Sequence, residues 1–371
     1  MFQKEIEKLA KNLVNYSIKL QKGEKVLIEG NPLCIDLILS LIKEIYAKGG
    51  YPFVNYSDPL ITRQILLGTS EEHMKLMTKY MQPKMKDMNA YIGISATNNV
   101  SELKDVKIEN KNLYSKFYSK PIHSDIRVPK TKWVILKYPT PGFSQQADMS
   151  LEEYSKFYFN VCNLDYSKMN KAMENLKNLM EKTDKVKIIG PDTNLTFSIK
   201  GIPAIKCAGE MNIPDGEVYT APVKNSVNGF IHYNTISIYN GVRFENVKLW
   251  FENGKIVKCE SKNQKELESI FNIDEGARYV GEFSFGLNPY ILYPTTDILF
   301  DEKITGSIHF TPGASYDDAY NGNKSAVHWD LVLIQRKDYG GGEIYFDDKL
   351  IRKDGLFVVD ELKCLNPRNL K

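Results

Sequence analysis

Two histidines and three carboxylates in the second half of the chain have the types and spacing of metal ligands. His328 and Asp330 are two residues apart in the stretch S-A-V-H-W-D. On an extended strand, residues i and i+2 point to the same face, so this imidazole and carboxylate project together while Val327 and Trp329 face the other way. Such a pair suits a metal ion, but taken alone it is more typical of an ordinary histidine–aspartate hydrogen bond at a strand surface, because such pairs are common.

Three further polar residues stand in short apolar runs of the same half. His309 lies in the run S-I-H-F, Glu282 lies in V-G-E-F-S-F, and Glu217 directly follows a Pro-Asp-Gly turn. A carboxylate in an apolar strand is costly to bury unless a cation or hydrogen bonds compensate its charge. Each glutamate, taken singly, could instead be a charge on an edge strand that faces solvent.

Together the five residues offer nitrogen and oxygen ligands without a thiolate. This set suits zinc, cobalt or manganese, and its size is enough for two ions that share a bridging carboxylate. A two-metal site suits hydrolysis, because the ions polarise a carbonyl and lower the pKa of a bound water. The predicted cofactors are therefore two divalent metal ions per chain.

The elements that must position these residues differ between the two halves of the chain. In the first half, helical patterns alternate with short apolar runs, as at residues 23–30, 37–47 and 51–56. This strand–helix–strand order predicts a right-handed crossover in a parallel sheet. Ser150, with Glu153 three residues on, predicts the start of another helix.

After residue 184 the pattern changes to alternating apolar and polar runs with Gly or Asn-Gly turns, which predicts antiparallel strands and hairpins. One helix is predicted at 264–271. A chain of 371 residues suggests about two domains. The predicted fold is α/β plus α+β, with an N-terminal strand–helix domain at 1–183 built on a largely parallel sheet and a strand-rich, metal-binding catalytic domain at 184–371.

Composition argues against several functional classes. With 49 basic and 46 acidic residues, the chain lacks the basic excess that a nucleic-acid surface needs. No apolar run approaches the ~20 residues of a membrane span, and the turn E-G-N-P-L after Ile28 lacks the glycines of a dinucleotide site. Five scattered cysteines without a C-x-x-C pair, and an N-terminus without an apolar signal core, predict a cytoplasmic protein.

The chain resembles the aminopeptidase T / aminopeptidase S family of thermophilic-type dinuclear metallo-aminopeptidases. Four segments of the second half carry the resemblance in order: N-I-P-D-G-E-V-Y-T-A-P, G-A-R-Y-V-G-E-F, H-F-T-P-G-A-S-Y and N-K-S-A-V-H-W-D. The segment W-V-I-L-K-Y-P-T-P-G-F-S-Q-Q-A-D-M-S-L-E-E-Y, at 133–154, is also similar to a family segment. The resemblance thus extends over nearly the whole chain.

The resemblance implies a metal-dependent aminopeptidase that hydrolyses the N-terminal peptide bond of peptides through a water bridging two divalent ions. Tyr316, seven residues after His309, matches the catalytic tyrosine; read without the resemblance, it would be an aromatic anchor. A glutamate near the ions, either Glu217, Glu282 or another acid, is expected to carry the proton to the leaving amine. The implied metal ligands are Glu217, Glu282, His309, His328 and Asp330.

The implied partners are peptides with a free N-terminus and a second copy of the chain in a homodimer, with neither nucleic acid nor membrane. Two other classes stay open: a dinuclear metallohydrolase of another amide substrate, and a metal-binding protein without turnover. His73, His123 and His232 belong to no motif and are predicted to be ordinary structural or surface residues.

Overall fold

A computed structural model of the protein describes residues 2–371. The chain divides into two compact units, each interrupted once in sequence. The first unit consists of Met1–Asn163 and Gly209–Pro214, and the second of Leu164–Ala208 and Asp215–Lys371.

The helices alternate with strands in the first half and are sparse in the second. Short π-helical segments lie at Leu13–Ser17 and Ser115–Arg127. Short 3-10 helices lie at Pro32–Cys34, Glu275–Arg278, Asp317–Ala319, Lys337–Tyr339 and Asp360–Leu365. The α-helices are α1 (Gln3–Asn12), α2 (Ile35–Ala47), α3 (Pro59–Leu67), α4 (Glu71–Asp87), α5 (Ile108–Tyr114), α6 (Val128–Lys130), α7 (Pro141–Gln146), α8 (Leu151–Cys162), α9 (Tyr166–Lys182), α10 (Gln264–Phe271), α11 (Ile298–Asp301) and α12 (Pro367–Leu370).

The strands are short and concentrate in the second half, as the alternating patterns predicted. In chain order they are β1 (Lys25–Gly30), β2 (Tyr51–Tyr56), β3 (Ala90–Ser95), β4 (Lys132–Lys137), β5 (Lys185–Gly190), β6 (Thr193–Ser198), β7 (Ile205–Cys207), β8 (Asn212–Ile213), β9 (Glu217–Thr220), β10 (Asn228–His232), β11 (Ser237–Tyr239), β12 (Val242–Phe244), β13 (Lys248–Glu252), β14 (Lys255–Glu260), β15 (Val280–Gly286), β16 (Ser307–Pro312), β17 (Val332–Ile334), β18 (Glu343–Phe346), β19 (Lys349–Lys353) and β20 (Leu356–Phe357).

The first unit is built on one parallel sheet with the strand order β2-β1-β3-β4-β8. Its strands alternate with helices along the chain, which confirms the predicted strand–helix architecture. The predicted helix start is also confirmed, since the Ser150 hydroxyl accepts a hydrogen bond from the Glu153 amide at the beginning of α8. Among residues 2–371, no helix combines the length and the apolar character that crossing a bilayer requires.

The division of the chain differs from the predicted boundary at 183/184. Helix α9 belongs to the second unit, where it packs against β7, β9 and the 3-10 helix Asp360–Leu365. The segment Gly209–Pro214 belongs to the first unit, because β8 pairs with β4. Residue 184 is therefore where helix gives way to strand, while the unit boundary lies before α9.

Two antiparallel sheets form the second unit, together with the hairpin β11-β12. The larger has the order β14-β13-β10-β6-β5-β18-β19-β20; the smaller, which we call the site sheet, has the order β17-β16-β15-β9-β7. Aromatic side chains join them: the Phe197 ring of β6 lies 5.0 Å from the rings of both Phe283 in β15 and Phe310 in β16. The mixed fold with a parallel sheet and strand-rich antiparallel sheets is thus as predicted.

Candidate metal centre

The site sheet separates a polar face from an apolar one. Because side chains alternate along each strand, the aromatic residues that face the larger sheet leave every second position free for polar groups on the other side. Glu217 begins β9, Glu282 lies in β15, and His309 lies in the middle of β16. The register pairs His309 with Ser284 and Glu217 with Gly286, so the polar side chains of three neighbouring strands share one face.

The first group of donors consists of Glu217, Glu282 and His309. The Nε2 atom of His309 lies 2.9 Å from Oε1 of Glu282 and 3.3 Å from Oε2 of Glu217. Ser284, between them on β15, donates its hydroxyl proton to the same Glu217 oxygen at 3.2 Å. One ligand atom from each of the three lies within 4.8 Å of the others, and His309 is only 1% exposed. The sheet thus fixes these three side chains in the interior.

The second group consists of Glu282, His328 and Asp330. The Nε2 atom of His328 lies 3.3 Å from Oε2 of Glu282 and 3.3 Å from Oδ1 of Asp330, without a well-directed hydrogen bond to either. On the far side of the ring, Nδ1 lies 2.8 Å from the backbone carbonyl oxygen of Ala314. If Nδ1 donates to that carbonyl, the Nε2 lone pair faces the two carboxylates, as in a metal-binding histidine. Thr311 orients Asp330 by a 2.8 Å hydrogen bond to Oδ1.

The prediction that His328 and Asp330 lie on a regular strand is wrong, although they do project together. Residue 328 makes one isolated bridge to Gly313, and the strand β17 starts only at Val332. Trp329 points away from the carboxylates, is buried, and donates its indole N–H to the hydroxyl of Ser237 at 2.8 Å. The chain here is extended but irregular, which is enough to keep the alternation of side chains.

A bulge in β15 lies beside the two donor groups. The register of β15 against β16 shifts between Val280 and Glu282, which leaves Gly281 unpaired. A Cβ atom at Gly281 would lie 2.1 Å from the carbonyl oxygen of Ala314. Glycine therefore lets the segment that supports His328 approach the strand that carries Glu282. Bulges commonly re-aim side chains next to functional sites.

In the two donor groups, neighbouring charges together shift the pKa values of both histidines and of Asp330 more strongly than burial does. Burial lowers the pKa of His328, but the carboxylates of Asp330 and Glu282 outweigh burial and raise this pKa to about 11. Burial likewise opposes a charge on His309, yet Glu282 and Glu217 raise its pKa. The imidazolium of His328 in turn outweighs burial and lowers the pKa of Asp330. The carboxylates thus attract positive charge strongly, and metal ions compete with protons for the same imidazole nitrogens.

These donors fit divalent cations. Each group offers imidazole nitrogen and carboxylate oxygen on side chains held by strands or by hydrogen bonds, which suits zinc and similar ions. Glu282 belongs to both groups and presents one oxygen to each histidine. The five residues predicted from the sequence are therefore brought together as two adjoining sets of donors that share one carboxylate.

Tyr316 stands at the rim of the second group. Its ring centroid lies 4.6 Å from that of His328, and the residue is 48% exposed. Burial of the hydroxyl, followed by the charge of Glu282, raises the pKa of Tyr316 well above its usual value. The phenol therefore keeps its proton and remains a hydrogen-bond donor over the ordinary pH range.

A third group of potential ligands adjoins the first and was missed by sequence reasoning. Cys207, Asp215 and Glu217 each offer a ligand atom within 4.8 Å of the others. Lys303, fully buried, places Nζ 3.4 Å from Oε1 of Glu217 and also pairs with Glu302. Burial lowers the pKa of Lys303, but the charges of Glu217 and Asp215 outweigh burial and raise it. The sequence around Lys303, F-D-E-K-I-T-G, carries no signal that would have found this group.

The other histidines lie apart from the donors. His232 is in β10 on the larger sheet, with Nδ1 3.8 Å from a carboxylate oxygen of Asp192. His123 is in the first unit, where Nδ1 accepts a hydrogen bond from Arg127 at 3.1 Å. His73 is exposed in the first turn of α4.

Comparisons with known proteins place the chain among aminopeptidases in sequence and in fold. The chain is 24% identical over 372 residues to aminopeptidase AmpS of Bacillus subtilis (strain 168), covering 89% of each chain. It is 24% identical over 381 residues to aminopeptidase T of Thermus thermophilus, covering 90% of this chain and 93% of that one. The solved structure of wild-type AmpT from Thermus thermophilus has the same fold, with a TM-score of 0.81 at 22% identity over 97% of this chain and 100% of that chain.

A family model described as "Thermophilic metalloprotease (M29)" matches residues 2–355. The match includes both units and each of the five donor residues. The chain therefore belongs to the thermophilic metalloprotease (M29) family.

Proposed function

We propose that this protein is a metal-dependent aminopeptidase that removes residues one at a time from the free N-terminus of peptides. The observation that carries the proposal is the pair of donor groups that share Glu282. Membership of a metalloprotease family and relatives named as aminopeptidases support the reaction class.

Each donor group would hold one divalent ion. Glu217, Glu282 and His309 would hold the first, and Glu282, His328 and Asp330 the second. Glu282 would help to hold both ions, because its Oε1 faces His309 and its Oε2 faces His328. Bound divalent ions would supply Lewis acidity, polarising the substrate carbonyl and lowering the pKa of water.

The surrounding residues would orient the substrate and stabilise developing charge. Tyr316, at the rim, would donate its phenolic proton in a hydrogen bond to the carbonyl oxygen as that oxygen becomes negative. An acid near the ions, either Glu217, Glu282 or one outside the two donor groups, would carry the proton to the leaving amine. Ser284 and Thr311 would hold Glu217 and Asp330 in place through the hydrogen bonds described above.

The aminopeptidase proposal predicts a strict requirement for a free α-amine. Unblocked dipeptide amides are expected to be hydrolysed, and their N-acetylated counterparts to be left intact, because an acetylated nitrogen can neither bind a metal ion nor carry the charge that a carboxylate would recognise. The check is the rate of hydrolysis of matched unblocked and N-acetylated substrates, measured as release of the C-terminal amino-acid amide. Equal rates on both substrates would leave a general metallohydrolase of amides. If the metal-loaded protein hydrolysed neither substrate, the remaining interpretation would be a metal-binding protein without turnover.

A second prediction concerns Tyr316. Replacing Tyr316 with phenylalanine is expected to lower kcat by about 10² to 10³, the usual effect of losing one donor to an oxyanion, with little change in metal content or melting temperature. Tyr345→Phe is the matched control, since Tyr345 lies in β18 of the larger sheet and its hydroxyl donates a hydrogen bond to Glu343, which belongs to neither donor group. Full activity of the Tyr316 variant would make this residue an aromatic packing group and nothing more.

The ions themselves are proposed to be zinc, cobalt or manganese, since imidazole and carboxylate ligands suit all three. The resemblance also supports a homodimer. The five scattered cysteines, without a C-x-x-C pair, support a location in the cytoplasm. Sedimentation of the purified protein tests the dimer, and a species with the mass of one chain would contradict it.

A further inference from the structure

Glu217 is shared between the metal-ligand groups and a third group that contains a thiol. Strands β7 and β9 pair so that Cys207 lies opposite Glu217, and directly opposed residues of an antiparallel pair point to the same face. Asp215 is buried two residues before Glu217. With ligand atoms within 4.8 Å of one another, this thiol and two carboxylates form a donor set for a cation.

A cation from the protein is already present beside this third group. Lys303 is 0% exposed, and its Nζ lies 3.4 Å from Oε1 of Glu217. It also pairs with Glu302. A buried ammonium must have compensating partners, and these acidic groups provide them.

The backbone is shaped to bring Lys303 to this position. A Cβ atom at Gly286 of β15 would lie 2.3 Å from the carbonyl oxygen of Ile304 and 2.9 Å from that of Glu302. Only glycine therefore lets the segment that carries Lys303 approach the site sheet so closely. Asn288 ties the two sides together: its amide N–H donates to the Lys303 carbonyl at 3.0 Å, and its side chain donates to the Asp215 carbonyl at 2.9 Å.

We propose that the ammonium of Lys303 is the resident cation of the group formed by Cys207, Asp215 and Glu217. It keeps a further divalent ion from binding there and holds Glu217 by Oε1, which leaves Oε2 on the side of His309. Lys303 is thus a positioning residue that limits the centre to two ions and keeps the thiol out of it. The inference rests on the proposed metal centre for the role of Glu217.

Removing the charge of Lys303 is expected to open the third group to a thiophilic ion. In Lys303→Met, Cd²⁺ would bind between the thiol and the two carboxylates, and the thiol proton would be released to solvent. Purified metal-free protein is titrated with Cd²⁺ alone while bound metal and ultraviolet absorption are measured. We expect about one more ion per chain than in the wild type, together with a thiolate-to-cadmium charge-transfer band. Lys303→Met/Cys207→Ser is expected to lack that band, which separates Cys207 from the other cysteines.

Lys353→Met is the control for loss of a paired lysine, because Lys353 is exposed and pairs with Glu343 at 2.9 Å. It should leave both the metal count and the absorption unchanged. A merely structural salt bridge at Lys303 would change the melting temperature without creating the band. A folded Lys303→Met protein with the wild-type metal count and no band overturns the inference.

A second variant and the wild-type titration complete the test. Should Lys303→Met fail to fold, Lys303→Gln removes the charge while keeping a polar side chain, and the same band is expected. In the wild type, Cd²⁺ should bind without producing a thiolate-to-cadmium absorption band. Such a band in the wild type would show that Lys303 does not keep an ion from binding to the third group. A wild-type chain that binds no Cd²⁺ would contradict the proposed metal centre itself, which distinguishes the two failures.

Discussion

Replacing Glu282 with alanine is expected to release both ions and to reduce hydrolysis to background. Glu282 is the one carboxylate common to both donor groups, so its loss leaves each group with one imidazole and one carboxylate. Two ligands hold a divalent ion poorly where structural and catalytic sites use three or four. The number of ions per chain, measured by mass spectrometry after desalting, checks the first half of the expectation, and dipeptide hydrolysis checks the second.

Asp301→Ala is a matched control, because Asp301 is also a buried carboxylate of the second unit but accepts hydrogen bonds from Thr295 and belongs to neither donor group. This variant is expected to be less stable while it retains its metal. If Glu282→Ala still held two ions, Glu282 would not help to hold both, and the arrangement of the centre proposed above would be wrong.

Replacing His328 or Asp330 with alanine is expected to remove the ion of the second group and to abolish turnover. Each substitution would delete a proposed ligand and leave the remaining carboxylates facing one another with too little positive charge between them, a repulsion that a low local dielectric enlarges. Metal content and peptidase rate for the two variants check this. Retention of two ions per chain by His328→Ala would make S-A-V-H-W-D a structural segment only.

Two further variants serve as controls for that prediction. Trp329→Phe is expected to keep both ions, because the indole packs away from the donors, with its ring centroid 4.9 Å from that of Tyr239. The substitution removes the hydrogen bond to Ser237, which is expected to lower the free energy of unfolding by about 1 kcal/mol. His232→Ala removes an imidazole from the larger sheet and should leave metal and activity intact.

The five donor residues were predictable from the sequence because each lies in a short motif whose order matches a known family. Their grouping was not predictable. Sequence spacing alone does not say that Glu282 would face both His309 and His328, since this depends on the antiparallel register of β15 and β16 and on the bulge at Gly281. Register is a property of paired strands, and the pairing partner is distant in sequence.

The stretch around His328 shows why its secondary structure was misjudged. Alternating polar and apolar residues predict a strand, and the backbone of this segment does bond to the end of β16 and the residues after it: Trp329 donates its backbone N–H to the Pro312 carbonyl, and the Val327 carbonyl accepts a bond from Ala314.

Side chains supply further bonds at the start of the segment. Asp274 accepts hydrogen bonds from the hydroxyl of Ser325 and from the amide of Ala326, and Ser325 accepts one from the amide of Val327. These local side-chain bonds accompany a ladder that is irregular, with a single isolated bridge between Gly313 and His328. The extended backbone nevertheless keeps His328 and Asp330 on one side.

The unit boundary and Lys303 had no usable signal. The amphipathic pattern of α9 says that one face is buried, but it does not say in which unit. The two residues of β8 are too few for any pattern to indicate that the chain returns to the parallel sheet. Lys303 would be expected at the surface, as most lysines are, and only the carboxylates that surround it in three dimensions explain its burial.

The most direct test of the proposed centre is a crystal structure of the metal-loaded protein with anomalous scattering recorded at the absorption edge of the bound metal. Two peaks are expected in the second unit. One should lie among Glu217, Glu282 and His309, and the other among Glu282, His328 and Asp330, with Glu282 contacting both. Peaks located elsewhere, or a single peak bounded by other residues in fully active protein, would contradict the proposal that these five side chains hold two catalytic ions.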